Sequence, residues 1–141
     1  EKYAVTVGGG YNHRFGLDDG VLITHNHIAI AGGVRRALEL ARAAAPHSMK
    51  LEVEISSQSQ LNEALAAGAE VIMLCNMSSA ELRESVDTIR THSPSIIVEV
   101  SGGVGLETVR EIAECGADLI SVSAITHSAA AVDISLRTVA L

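Results

Sequence analysis

A glycine-rich turn, Gly8-Gly9-Gly10-Tyr11-Asn12, delivers an adjacent imidazole and guanidinium, His13 and Arg14. Arginine presents a planar fork that matches a carboxylate with two parallel N–H donors. Glycines carry no Cβ, so the backbone N–H groups beside them can approach an anion closely. These residue types at this spacing predict an anion pocket around His13 and Arg14; the plainer alternative is a surface turn closing the first connection. A few residues on, an apolar run from Val21 ends in Thr24-His25-Asn26-His27. Five apolar runs in all end in polar groups, and that recurrence is a stronger signal than any one motif.

Each run end suggests its own chemistry. If the first run is a strand, His25 and His27 alternate onto one face of its end. With Cys75 from the third run, two imidazoles and a thiolate would make a three-ligand zinc site with an open position, Glu54 serving as base. The alternative is that His27 only shapes a turn and Cys75 is a small buried apolar side chain. The second run carries Glu52 and Glu54 on one face; unpaired buried carboxylates are costly, so at least one faces a polar interior. The fourth delivers Glu99 and then Ser101-Gly102-Gly103, either a phosphate loop ahead of a helix N-terminus or simply a tight turn. The fifth delivers Ser123 and then Thr126-His127-Ser128.

Those ends need elements to hold them. The runs are Val21–Thr24, Leu51–Ile55, Val71–Leu74, Ile96–Val100 and Leu119–Val122. Between them, apolar residues recur three and four apart, as in Val34, Ala37, Leu38, Ala41 and in Leu82, Val86, Ile89, which predicts one-sided helices. Ser57 with Gln60 and Ser78 with Glu81 have capping-box spacing, and Gly68 and Gly116 stand where a helix C′ glycine belongs. The segment LNEALAAGAEVIML from Leu61 is echoed by VREIAECGADLISV from Val109. A repeated helix-to-strand joint with strands 20–30 residues apart predicts βαβ crossovers and a parallel sheet. Periodicity alone leaves an open doubly wound sheet and part of a (β/α) barrel both standing. In either, ligands bind at the strand C-terminal ends.

Composition narrows the function classes. The 141 residues predict a single domain, 1–141, whose 48% apolar and 2% aromatic content means a core of Ala, Val, Ile and Leu. A net charge of −7 with scattered Lys and Arg argues against a nucleic-acid surface. Two cysteines, Cys75 and Cys115, are no disulfide framework. With no membrane-length apolar run and no signal-peptide pattern, the sequence predicts a soluble, cytoplasmic protein.

In order and at compatible spacing, GGGYNHRFGLDDGVLI, NHI, LEVE, AGAEVIML, VEVSGGV and ITHSAAAVDISL resemble the C-terminal barrel of the quinolinate phosphoribosyltransferases, the carboxylating nicotinate-nucleotide pyrophosphorylases. The resemblance covers essentially the whole chain. It implies a parallel α/β barrel, here partial with five visible strands. It also implies synthesis of nicotinate mononucleotide from quinolinate and phosphoribosyl pyrophosphate with loss of carbon dioxide, magnesium as cofactor, and an oligomer. By position, it gives His13 and Arg14 to the quinolinate carboxylates, and Glu54 to the ribose and the magnesium pyrophosphate. It gives Ser101, Gly102, Gly103 and His127 to the phosphate.

The departures are as specific. Thr24 and His25 stand where the family has Lys and Asp, Cys75 replaces an Asp, and Ser123 replaces a glycine near the phosphate. A preceding barrel strand and an N-terminal domain belong to the family pattern but not to this segment. Losing a buried charged partner typically costs about 2–5 kcal/mol, so catalysis by this chain is expected to be impaired or dependent on missing parts. Two alternatives follow: a non-catalytic or engineered barrel scaffold that self-associates, and a repurposed His25/His27/Cys75 metal site. A barrel without its first strand exposes an unpaired edge, so association with a second copy or with a chain supplying that strand is expected.

Overall fold

A computed structural model describes residues 1–140. Its elements run α1 (Lys2–Val7), β1 (Val21–Ile23), α2 (His25–Ala31), α3 (Val34–Ala44), β2 (Leu51–Ile55), α4 (Gln58–Ala66), β3 (Val71–Cys75), α5 (Ser79–His92), β4 (Ile97–Ser101), α6 (Val109–Glu114), β5 (Leu119–Ser121) and α7 (Ala124–His127). All four strand pairings are parallel, and the order in the sheet is β1-β2-β3-β4-β5.

That sequential order settles the choice that periodicity left open. Right-handed crossovers between neighbours that never reverse direction put every connecting helix on one side, whereas a doubly wound sheet reverses and is covered on both. Burial follows the same division. Leu51, Val53, Ile55, Ile72, Leu74, Val98 and Val100 point to the helix side and pack against Leu38, Leu61, Val86 and Ile89 in one core. The other face carries Glu52, Glu54, Met73, Cys75, Glu99, Ser101 and Ser121, the face a closed barrel would turn inward. The chain is an arc of a parallel barrel, as expected.

Local signals hold where they are short-range. Ser78 and Glu81 form a reciprocal capping box at α5, and Ser57 accepts from the Gln60 N–H at α4. The internal echo is real in three dimensions: α4 and α6 each end at a left-handed glycine, Gly68 (φ 71°) and Gly116 (φ 90°), before a strand. It extends to partners the sequence did not announce. Arg42 donates to the Ala67 and Gly68 carbonyls at the end of α4, and Arg90 donates to the Gly116 carbonyl beyond α6. Both guanidiniums cap a helix C-terminus, where cations are favoured.

Three helices were not anticipated, among them the four-residue α7. α1 precedes the first run, and α2 begins at His25, so β1 stops at Ile23 rather than continuing through the histidines. The fifth strand likewise ends at Ser121, with Leu119 half exposed on an edge. Among the described residues β1 and β5 each pair on one side only.

Candidate functional site

At the C-terminal ends of the strands, Thr24 is the N-cap of α2. Its backbone N–H donates to His27 Nδ1 at 2.9 Å, and its Oγ1 lies 2.9 Å from the same nitrogen. Glu54, from β2, accepts the His25 N–H at 3.2 Å and lies 3.5 Å from His25 Nδ1. Cys75 is half-buried at the end of β3. Burial, reinforced by the carboxylates of Glu54, Glu52 and Glu99, pushes its thiol up to about 11, so it is protonated near neutrality. Asn76, the next residue, adopts φ 53°, rare for a side-chain-bearing residue, and donates its N–H to the Ser101 carbonyl at 3.2 Å. Its side chain lies so close to Gly102 (φ 92°) that a Cβ there would overlap it.

This geometry changes the metal reading made from sequence. Residues two apart on a strand share a face, but on a helix they are about 200° apart around the axis. His25 and His27 are the first and third residues of α2, so they diverge, and His27 Nδ1 is already used as a cap. Among the described residues, His25, His27 and Cys75 are not gathered at ligand distance.

The Ser101-Gly102-Gly103 loop does not lead directly into a helix. Gly102 and Gly103 have positive φ, but α6 begins only at Val109, and the intervening turn closes on Thr108, whose Oγ1 accepts from the Gly105 N–H at 3.0 Å. The two glycines are therefore not the first N–H groups of that helix. Ser123 is the N-cap of the four-residue α7, and exposed His127 ends it, its Nδ1 2.7 Å from Ser128 Oγ. Thr24, Glu54, Cys75, Ser101, Ser123 and His127 all lie at or just beyond the C-terminal ends of their strands.

His13 and Arg14 lie elsewhere. The loop carrying them crosses the inner face of the sheet and is tied by Asp19, whose carboxylate accepts from the Phe15 and Gly16 N–H groups. His13 Nε2 lies 3.2 Å from Glu52 Oε2 and 3.5 Å from Glu99 Oε1. Arg14 lines a cavity of about 260 Å³ with Asp19, Val21, Lys50, Glu52 and Val71, toward the strand N-terminal ends and away from the rim. Glu99 is 4% exposed and accepts from Ser121 Oγ. Burial, then the neighbouring Glu99 carboxylate, raises the Glu52 carboxyl from 4.5 to about 8, with Arg14 acting in the opposite direction. Sequence reasoning noted the glutamates but not their convergence with His13. Strand alternation could have placed them on one face; register and the loop's path could not be read.

The family model for the quinolinate phosphoribosyl transferase C-terminal domain matches residues 1–137. The chain belongs to this family. It is 46% identical over 136 residues to the probable carboxylating nicotinate-nucleotide pyrophosphorylase of Bacillus subtilis (strain 168), covering 96% of this chain and 46% of that protein. It is 38% identical over 137 residues to the Homo sapiens nicotinate-nucleotide pyrophosphorylase, covering 97% and 46%. The crystal structure of NadC from Streptococcus pyogenes superposes with a TM-score of 0.83 at 41% identity, over 97% of this chain and 47% of that one. The chain spans about half the length of the curated relatives it matches. No helix among the described residues is long and apolar enough to cross a membrane.

Proposed function

We propose that this domain is the nucleotide-binding barrel portion of a quinolinate phosphoribosyltransferase, acting on small anionic substrates in nicotinate mononucleotide synthesis. The observation that carries this reading is the family match across residues 1–137, together with a rim whose polar groups stand on consecutive strands. In that reaction the pyridine nitrogen of quinolinate bonds to the ribose carbon as pyrophosphate leaves, and carbon dioxide is then lost. The chain's part is to position anions at the rim: Ser101, Gly102, Gly103, Ser123 and His127 for the phosphate and Glu54 for the ribose. Magnesium, a hard cation, is served by carboxylate and phosphate oxygens. Glu54 suits it and the protonated Cys75 thiol does not, so the ion would rest on Glu54 and on the substrate's own pyrophosphate.

Two observations support impaired catalysis, or dependence on other chain, for this segment. Thr24 brings no charge to the rim and is spent as a helix cap. His25 is turned onto Glu54. The unpaired edge of β1, beside an apolar groove of about 350 Å³ that includes largely exposed Ile30, supports assembly with a second copy or with a chain completing the barrel. Free Cys75 and Cys115 support a cytoplasmic setting.

Calorimetric titration with nicotinate mononucleotide tests the reading. Micromolar binding that is lost in His127→Ala is the expected result. No heat with either nicotinate mononucleotide or quinolinate would leave the scaffold reading, in which the fold persists without the ligand sites.

A further inference from the structure

We propose that His13, Glu52 and Glu99 form a binding site for a divalent transition-metal ion on the inner face of the sheet. One donor atom from each of the three residues lies within 4.8 Å of the others. His13 Nε2 stands 3.2 Å from Glu52 Oε2 and 3.5 Å from Glu99 Oε1. A tetrahedral zinc with ligand bonds of about 2.1 Å holds its ligands about 3.4 Å apart. His13 thus stands at that spacing from both carboxylates, and the two carboxylates each offer an oxygen within 4.8 Å of the other.

A separate observation points to a missing partner. Glu52 Oε1 is shut off from solvent and has no hydrogen-bond partner, an arrangement that costs free energy until a cation or proton meets it. Glu99, with a side chain 5% exposed, is held by the Ser121 hydroxyl, the type of outer contact that orients a carboxylate ligand. His13 remains about one-third exposed, which leaves an approach for the ion and an open coordination position.

The donor set selects the metal. One imidazole with two carboxylates suits zinc or manganese, whereas magnesium prefers an all-oxygen octahedral shell and keeps its waters. The site is thus distinct from a magnesium ion carried in on pyrophosphate at the rim. It is equally distinct from His25, His27 and Cys75. The inference stands whether or not the domain binds nucleotides.

The test uses the chain stripped with EDTA, desalted, and titrated with zinc against a chromophoric chelator, and with manganese by electron paramagnetic resonance. One equivalent should bind. Millimolar magnesium should not displace it. His13→Ala and Glu52→Gln should each weaken binding tenfold or more, and Cys75→Ser should leave it unchanged. Thermal melts provide a second readout: zinc should raise Tm in the parent chain and not in His13→Ala, whose substitution lies in a loop and spares the core. Absence of binding, binding unchanged in both His13→Ala and Glu52→Gln, or loss in Cys75→Ser would overturn the assignment.

Discussion

Glu52 makes folding stability depend on pH in a way that can be worked out in advance. In the metal-free fold its carboxyl is raised from 4.5 to about 8, first by burial and then by the Glu99 carboxylate. The folded state therefore holds a proton that the unfolded chain has released. The sign follows from linkage: the stability from this group is complete below about pH 4.5 and is lost as pH rises toward 8. One proton gives a slope of about 1.4 kcal/mol per pH unit, so the whole window amounts to about 5 kcal/mol. That is comparable to the 5–15 kcal/mol total stability typical of a domain. Glu52→Gln keeps the shape and removes the titration. Urea unfolding of both proteins in EDTA, at pH 5 to 9, should show the variant gaining on the parent by about 1.4 kcal/mol per pH unit up to about pH 8. Above that the gain should level off. Groups distant from Glu52 contribute equally to both proteins and cancel in the difference, so the comparison reads Glu52 together with its neighbours His13 and Glu99. Parallel curves would refute the argument, because they would mean that Glu52 ionises equally in both states.

Other consequences can be checked separately. The Cys75 thiol, raised to about 11, should alkylate with iodoacetamide at pH 8 far more slowly than a free cysteine, whose pKa is near 8.5, as read by mass spectrometry. At the β4–β5 joint, burial pushes the Asp118 carboxyl up, but Arg90 at 2.7 Å and the Val98 N–H at 2.7 Å together hold it below its ordinary value. Asp118→Ala should lower stability by about 1–3 kcal/mol in urea titrations, since it strands the Val98 N–H. Gly102→Ala places a methyl into Asn76 at φ 92° and should cost at least about 1 kcal/mol by the same measurement. Leu38→Ala empties a fully buried position between α3 and the sheet and should cost about 2–5 kcal/mol, read as a lower urea midpoint.

Much of the fold was legible because its signals are local. The LEVEI run alternates so plainly that Leu51, Val53 and Ile55 had to share one face and Glu52 and Glu54 the other. Ser78 and Glu81, or Gly68 and Gly116, act within a few residues of themselves, and each stands where the sequence placed it. The same locality explains one failure. Thr24-His25-Asn26-His27 continues an apolar run and reads as strand, yet the Thr24 N–H is met by His27, an imidazole standing in for the Glu or Gln usually expected three residues after a cap.

By itself, then, the sequence determined the five strands, their parallel pairing and the polar character of their ends, because alternation, helical period and capping are set by neighbours along the chain. Only the tertiary structure decided that the helices share one side and that Arg14 sits away from the rim. It also decided that His13 joins Glu52 and Glu99 while His25 and His27 part. Those outcomes depend on strand register and on the path of a loop across a sheet. Both are fixed by contacts between residues dozens of positions apart, which no local pattern encodes.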